Sequence, residues 1–294
     1  MSKPTIICFG EVLWDLLPSG KIAGGAPMNV AYHANQLGLR SLMVSRVGND
    51  DLGQQLLDFL DEKGVATHFV QEDSTHPTGV VNVRLDANGS PRYEIVQSAA
   101  WDFIEPDEKV SALVGVADAF VFGSLACRNE RSRASLFDLL ETAKLRVLDV
   151  NLRAPFYDKN LLADLLIKAD IVKMNDEELA LISGYFSNSK GMEAQMNFLT
   201  EQFRLETLIV TKGPHGAVCL DADGLHEQPG FKVKVKDTIG SGDAFLAAFL
   251  SMNLDGASIP ESLRYACAIG ALVATKQGGT PVIDEDELDE IYDA

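Results

Sequence analysis

The sequence contains few cysteines, no long apolar run and few basic residues, and each shortage excludes a class of protein. Only four cysteines occur among 294 residues, and no two of them form a Cys-x-x-Cys pair. The five histidines also lack the spacing of a metal-binding motif. A disulfide framework or a zinc site is therefore not expected, and a reducing compartment fits this composition.

The apolar residues occur in short runs. The most apolar stretches, 244–250 and 266–274, are too short to span a bilayer and are typical of buried helices. The first residues of the chain lack a long apolar stretch, so we expect no signal peptide and a cytoplasmic location.

Acidic residues outnumber basic ones, with 43 Asp and Glu against 25 Lys and Arg, which gives a formal net charge of −18. Binding to nucleic acid is not expected, because contacts to phosphates require a basic face. Binding to the anionic surface of a membrane is not expected for the same reason.

The order of the predicted elements indicates the fold class. An apolar fraction of 46% is typical of a globular protein with a sizeable core. Strands are predicted at 5–10, 41–47, 119–125, 146–151, 171–175 and 207–211, and helices at 27–37, 50–63 and 130–144. This α/β alternation predicts a mainly parallel central sheet with helices on both faces.

One region departs from this alternation. Residues 79–86 and 91–97 form two extended runs around Ala87-Asn88-Gly89, and Asn-Gly between such runs is typical of a β-hairpin. We predict a small β lid formed by about 12–23 and 76–101, on a single α/β domain that covers residues 1–294.

The segment 237–243, Asp-Thr-Ile-Gly-Ser-Gly-Asp, is the most informative motif. It follows a β-type run at 232–236 and precedes an apolar helix-type run. Such a turn presents backbone N–H groups at the positive end of a helix dipole, which suits an anion. Asp243 could simply cap the helix. However, a carboxylate beside a phosphate-sized anion hole would repel the phosphate unless it deprotonates an attacking hydroxyl. Neither a P-loop nor a dinucleotide fingerprint is present.

A second candidate site begins at Gly24-Gly25, before the helix that carries Asn29. A glycine pair there can be an ordinary turn. Asp15 follows the first strand, so it could meet Asn29 at the carboxyl end of the sheet, where α/β folds bind ligands. Asp and Asn are suitable partners for sugar hydroxyls, because the first accepts hydrogen bonds and the second both accepts and donates.

Three further strand ends carry candidate residues. Asn175 and Glu178 suit Mg²⁺ held partly through water, although their local sequence favours a helix capping box. Arg153 could clamp a phosphoryl group, or it could form a surface salt bridge. The loop from Thr211 to Gly216 could bind a nucleotide, or it could be a Gly-Pro turn.

Together these motifs resemble the ribokinase-like (PfkB) family of carbohydrate kinases, over nearly the whole chain. The Gly24–Asn29 segment resembles the first family signature, and 237–243 resembles the second, with Ser241 in place of a common alanine. Asn175 and Glu178 match the Asn-x-x-Glu motif of the family.

The resemblance implies a role for each candidate residue. Asp243 would be the general base, Gly240 to Gly242 the anion hole for the γ-phosphate, and Arg153 a neighbour of sugar and phosphate. The implied sets are catalytic (Asp243, Gly240, Ser241, Gly242 and Arg153), sugar-binding (Asp15, Gly25, Asn29, Tyr93 and Ile95), nucleotide-binding (Thr211, Gly213 and Gly216) and metal-binding (Asn175 and Glu178 for Mg²⁺ through water, Asp237 for a monovalent cation such as K⁺).

Residues 10–18 look most like those of fructokinases within this family. The resemblance therefore implies transfer of the γ-phosphate of ATP, with Mg²⁺, to the primary hydroxyl of D-fructose, and a homodimer formed through the lid. Other acceptors (ribose, a 2-keto-3-deoxy acid or a nucleoside) and a non-catalytic sugar or nucleotide sensor are the alternatives. Because the chain is strongly acidic, ATP binding would depend on local positive groups: a helix N-terminus, Mg²⁺, Arg153 and Lys212.

Overall fold

The computed structural model describes residues 3–17, 20–85 and 91–292, with side chains for all of these except 83–85 and 91–93. The strands are β1 (Thr5–Phe9), β2 (Leu13–Leu17), β3 (Gly20–Gly24), β4 (Arg40–Gly48), β5 (Val70–Asp73), β6 (Gly79–Leu85), β7 (Pro91–Ile95), β8 (Ala119–Gly123), β9 (Arg146–Asp149), β10 (Ile171–Asn175), β11 (Thr207–Thr211), β12 (Ala217–Asp221) and β13 (Gly224–Gln228). The α-helices are α1 (Ala26–Gln36), α2 (Asp51–Glu62), α3 (Glu108–Val116), α4 (Glu130–Leu140), α5 (Lys159–Lys168), α6 (Asp176–Phe186), α7 (Met192–Phe203), α8 (Ser241–Leu254), α9 (Ile259–Ala274) and α10 (Glu285–Tyr292).

The central sheet has nine strands in the order β13-β12-β11-β10-β9-β8-β1-β4-β5. Its strands are parallel except at one end, where β12 pairs antiparallel with both β11 and β13. A near-continuous apolar strand is expected when helices cover both faces of a parallel sheet. The strand β1 shows this pattern, because Ile6, Ile7, Cys8 and Phe9 are all fully buried.

Alternate residues of β1 point into two different cores. Ile6 and Cys8 belong to the core on the face covered by α1, α8 and α9, whereas Ile7 and Phe9 belong to the core on the opposite face. The predicted fold class, a mainly parallel sheet with helices on both faces, is confirmed. Among the helices of the described residues, none combines the length and the apolar character that crossing a membrane requires.

A separate four-stranded sheet lies in the order β3-β2-β6-β7. The strand β2 pairs antiparallel with β3 and parallel with β6, and β6 pairs antiparallel with β7. This pairing joins the two segments from which we predicted the lid. The predicted turn at Ala87-Asn88-Gly89 lies outside the described residues.

One predicted strand is wrong. Residues 232–236 have no regular secondary structure, although their sequence alternates valine with lysine. In the structure the backbone N–H of Lys236 donates to the carbonyl of Ala274, at the end of α9, rather than to a neighbouring strand. The glycine turn before α8 is therefore preceded by an extended loop, which a hydrogen bond joins to the end of α9.

Candidate active site

The candidate residues come together because several elements end at the same edge of the central sheet. The strands β9, β10 and β11 are parallel neighbours, so their carboxyl ends lie side by side. The helices α1 and α8 pack in one core on the adjoining face. Their first turns meet, since the Asn29 side-chain amide donates a 2.7 Å hydrogen bond to Oδ2 of Asp243.

Asp243 lies in the first turn of α8 and is half-buried. Burial and the nearby carboxylate of Asp149 raise the pKa of Asp243 to about 6, against the opposing effects of Lys173, Asn29 and Arg153. A carboxylate with such a pKa is ionised at neutral pH and is a better proton acceptor than an ordinary aspartate. The group thus has the properties that a general base requires.

The turn that precedes Asp243 is held by Asp237 and by a second glycine-containing loop. Gly240 is the N-cap of α8 with φ +77°, and a Cβ atom there would clash with the carbonyl oxygen of Gly279. The two carboxylate oxygens of Asp237 accept hydrogen bonds from the N–H groups of Ile239 (3.1 Å) and Gly278 (3.0 Å). Asp237 therefore fixes the geometry of this turn, besides being the predicted cation ligand.

A buried ion pair that the sequence analysis did not select lies behind this turn. The ammonium group of Lys173 contacts Oδ2 and Oδ1 of Asp149 at 2.9 and 3.1 Å, and both residues are buried. A Cβ atom on Gly242 would lie only 3.0 Å from Nζ of Lys173. The signal in the sequence was a single lysine within the apolar strand Ile171–Asn175, where a buried charge is unusual.

Three of the predicted sugar-binding residues, Asp15, Gly25 and Asn29, lie at or near the N-terminus of α1. Asp15 lies on β2, and its Oδ2 packs so close to Gly24 that a Cβ atom there would be 2.6 Å away. Gly25 is the N-cap of α1 with φ +120°, in contact with the backbone of Glu11. Burial raises the pKa of Asp15 to about 6, and the charge of Arg153 opposes this rise. Asp15 therefore packs against Gly24, and Asn29 lies on the helix that begins after Gly25.

Glu11 is a second residue that the sequence analysis missed. Its Oε1 accepts the N–H of Ala26 at 3.2 Å, and its Oε2 is buried without a partner in the described part of the chain. Burial raises the pKa of Glu11 to about 7. The signal available in the sequence was an acidic residue directly after a buried strand.

Two of the predicted sugar-binding residues, Tyr93 and Ile95, lie on β7 of the small sheet. Ile95 is half-buried and packs against the small apolar cluster of Leu13 and Val81 inside the lid. The backbone of Tyr93 pairs with Val83, but the Tyr93 side chain lies outside the described residues. The predicted contacts of these two residues with a sugar therefore stay predictions.

Arg153 is exposed in the loop after β9, and its guanidinium donates to the carbonyl of Leu152 at 3.1 Å. Its charge nevertheless opposes the rise that burial causes in the pKa of three carboxyl groups, those of Glu11, Asp15 and Asp243. Arg153 is thus the cation that faces the acidic groups of the site from the solvent side.

Asn175 and Glu178 form the capping box that their local sequence favours. Oδ1 of Asn175 accepts the N–H of Glu178 at 2.8 Å, and Oε2 of Glu178 accepts the N–H of Asn175 at 2.9 Å. The other carboxylate oxygen of Glu178 accepts the N–H of Leu152 at 2.7 Å. Each oxygen keeps a second lone pair, so this carboxylate can still accept a hydrogen bond from a metal-bound water.

The loop after β11 lies beside this box, because Thr211 is in register with Asn175 on the neighbouring strand. Gly213 and Gly216 have φ values of +54° and +90°, which favour glycine. Lys212, which we expected to offset the charge of ATP, forms an ion pair with Glu227 instead. This part of the site therefore presents backbone groups rather than an unpaired ammonium.

Comparisons with known proteins identify the family of the chain. The pfkB family carbohydrate kinase model matches residues 19–286. Fructokinase-2 of Solanum habrochaites is 32% identical over 311 residues, which cover 96% of this chain and 94% of the relative.

Solved structures show the same fold. The fructokinase of Xylella fastidiosa with bound ATP superposes with a TM-score of 0.88 at 27% identity, covering 99% of both chains. The fructokinase of Vibrio cholerae O395, bound to fructose, ADP and calcium ion, gives a TM-score of 0.85 at 25% identity, again covering 99% of both chains. With a family model that matches most of its length and a site built at the expected edge of the sheet, this chain belongs to the pfkB family of carbohydrate kinases.

Proposed function

We propose that this carbohydrate kinase transfers the γ-phosphate of ATP to the primary hydroxyl of D-fructose and forms ADP and D-fructose 6-phosphate. The observation that carries the proposal is the position of Asp243. This carboxylate stands at the N-terminus of α8, hydrogen-bonded to Asn29, with its pKa raised by burial to about 6. The similarity to fructokinases supports fructose as the acceptor.

In the proposed reaction the sugar hydroxyl oxygen attacks the γ-phosphorus in line with the leaving oxygen. The new O–P bond forms as the bond between the γ-phosphorus and the bridging oxygen breaks, and ADP leaves. Asp243 accepts the proton of the hydroxyl, while the N–H of Gly242 and the positive end of the α8 dipole stabilise negative charge on the phosphoryl oxygens. The N–H of Ser241 already donates to the carbonyl of Thr238 at 3.3 Å. Asp15, Gly25 and Asn29 orient the sugar, and Arg153 balances charge from the solvent side.

The residues of the capping box fit Mg²⁺ through water rather than by direct ligation. Both Glu178 oxygens already accept a backbone N–H, which leaves one lone pair each for a water molecule. We propose that Asn175 and Glu178 hold the water shell of Mg²⁺ in this way. When bound with ATP, the ion would neutralise part of the phosphate charge.

We also propose a monovalent cation beside Asp237, whose oxygens likewise keep one lone pair each after binding Ile239 and Gly278. Activity in KCl compared with N-methylglucamine chloride at equal ionic strength tests the proposal. Equal rates in the two salts would contradict it.

A homodimer formed through the lid is a further proposal. Among the described strands of the small sheet, β3 and β7 are the two edges. Edge strands carry unpaired backbone groups that can bind a second copy. Sedimentation equilibrium should give twice the mass of the chain, and a monomer at every concentration would contradict the proposal.

A panel of acceptors tests the proposed function. ADP release is measured with D-fructose, D-ribose, 2-keto-3-deoxygluconate and a nucleoside, and the fructose product is identified by its phosphorus–proton couplings. We expect the highest kcat/KM with D-fructose and phosphate on O6. A higher value with another acceptor would reassign the substrate, and sugar binding without ADP release from any acceptor would indicate a sensor.

A further inference from the structure

The Asp149–Lys173 pair, which the proposed mechanism does not use, lies directly behind the phosphoryl-transfer site. Asp149 is the last residue of β9, and Lys173 lies on the neighbouring strand β10. The two side chains contact each other at 2.9 and 3.1 Å, and they are only 4% and 8% exposed. Both charges are therefore held inside the protein at the edge where the site is built.

The ammonium group of Lys173 lies against the backbone of the glycine turn before α8. A Cβ atom on Gly242 would be 3.0 Å from Nζ of Lys173, closer than nearly all real Cβ contacts. Because glycine has no Cβ atom, the helix N-terminus and the lysine can approach this closely. An ammonium group that is paired with Asp149 thus lies next to Gly242, at the positive end of the helix dipole.

A purely structural role does not account for this pair. A buried ion pair seldom stabilises a fold more than apolar residues of similar size would. Val172 and Met174, on either side of Lys173, are fully buried apolar residues of the same strand. The same two strands are also joined at their other end by an ion pair of Arg146 with Asp170.

We propose that Asp149 and Lys173 are positioning residues for phosphoryl transfer, with Lys173 keeping the Asp243 carboxylate ionised and supporting the anion hole, and Asp149 limiting that effect. The proposal rests on the proposed function, in which Asp243 is the general base. The charged or polar groups that face Asp243 come from α1, from the segments after β1 and β9, and from β9 and β10: Asn29, Glu11, Arg153, Asp149 and Lys173.

Two substitutions that break the same pair should then have opposite effects. In Lys173→Met, the carboxylate of Asp149 is unopposed and the acidic limb of the kcat/KM profile moves to higher pH. In Asp149→Asn, the ammonium of Lys173 is unopposed and the acidic limb moves to lower pH. Both charges act on the Asp243 carboxyl group. Each shift should be about one pH unit or more, the usual effect of a nearby unit charge on a carboxyl group.

The Arg146–Asp170 pair provides matched controls, because it joins the same strands away from the site. Arg146→Met and Asp170→Asn break this pair and should leave the acidic limb where it is in the unaltered enzyme. If the Asp149–Lys173 pair were merely structural, all four variants would lose stability, and none would move the limb. Shifts in the same direction for the two site variants, or no shift in either, would overturn the proposal.

A direct titration separates failure of this proposal from failure of the proposed function. With ¹³C-carboxyl aspartate in the full chain, the Asp243 signal is assigned by its loss in Asp243→Asn and is followed against pH without substrate. We expect the same opposite shifts there even if no acceptor is phosphorylated. If Lys173→Met does not fold, the titration of Asp149→Asn alone tests the proposal. We expect this variant to fold because its asparagine can still accept a hydrogen bond from the ammonium of Lys173. An Asp243 midpoint that stays or rises in that variant would refute the proposal.

Discussion

Replacing Asp243 with asparagine should lower the turnover number and, at pH 8, raise the free energy of unfolding. The loss of the proposed base removes proton transfer from the reaction, which costs roughly 10²- to 10⁴-fold in kcat. The folded protein gains because it no longer holds a carboxylate whose charged form is disfavoured by burial. The side-chain oxygen of asparagine can still accept the hydrogen bond from Asn29.

The size of the stability gain follows from the pKa of Asp243. Burial and the charge of Asp149 raise this pKa from an ordinary 3.8 to about 6. At 1.36 kcal/mol per pH unit, the folded state bears a cost of up to about 3 kcal/mol when the group is ionised.

The sign depends on pH because the folded protein binds the proton more tightly than the unfolded chain. Above pH 6 the carboxyl group is ionised in both states, and the folded protein bears the full cost. Between pH 6 and 4 the folded protein keeps a proton that the unfolded chain has released, so the cost falls. Below pH 4 both states are protonated. The advantage of the asparagine variant should therefore be full at pH 8 and absent near pH 4.

Urea denaturation at pH 8, 6 and 4.5 measures the stability, and ADP release with saturating ATP and D-fructose measures kcat. Asp58→Asn is the matched control, because Asp58 is exposed on α2. The free energy of unfolding of this variant should differ from that of the unaltered protein by less than about 0.5 kcal/mol. Nucleotide binding by calorimetry should be near normal. A kcat equal to that of the unaltered enzyme, or a stability difference that does not vary with pH, would refute the reasoning.

Three further substitutions test other parts of the site and the fold. Glu178→Gln should raise the Mg²⁺ concentration for half-maximal activity by roughly 10- to 100-fold, as for other groups that orient a metal through a second layer of contacts; an unchanged titration would leave Glu178 a helix cap alone. Gly25→Ala should lower the free energy of unfolding by at least about 1–3 kcal/mol, because φ is +120° and the new Cβ would meet the Glu11 carbonyl. A change below about 0.5 kcal/mol in chemical denaturation would show that alanine is not strained at this position. Arg128→Met should lower the free energy of unfolding by about 3–5 kcal/mol in the same measurement, since it leaves the buried Asp102 without the guanidinium that contacts it at 2.7 and 2.8 Å. A loss below about 1 kcal/mol would show that Asp102 finds another partner.

Local patterns in the sequence were sufficient to predict much of the fold. The apolar runs at 5–10 and 171–175 form buried parallel strands, and the two extended runs at 79–85 and 91–95 pair in antiparallel orientation. These features depend on neighbours in the chain, through side-chain alternation and turn chemistry. The run 232–236 alternates valine with lysine without becoming a strand, and the N–H of Lys236 donates instead to the carbonyl of Ala274 at the end of α9.

The sequence by itself therefore determined the α/β alternation, the glycine turn before α8 and the capping box at Asn175, because each depends on residues close in the chain. The tertiary structure decided the partners of the charges. Asn29 meets Asp243 from 214 positions away, and Lys173 meets Asp149 because β9 and β10 are adjacent strands. An overall charge of −18 gave no indication of a buried ammonium behind Gly242, since an electrostatic site depends on which few charges lie within several ångströms and not on their sum.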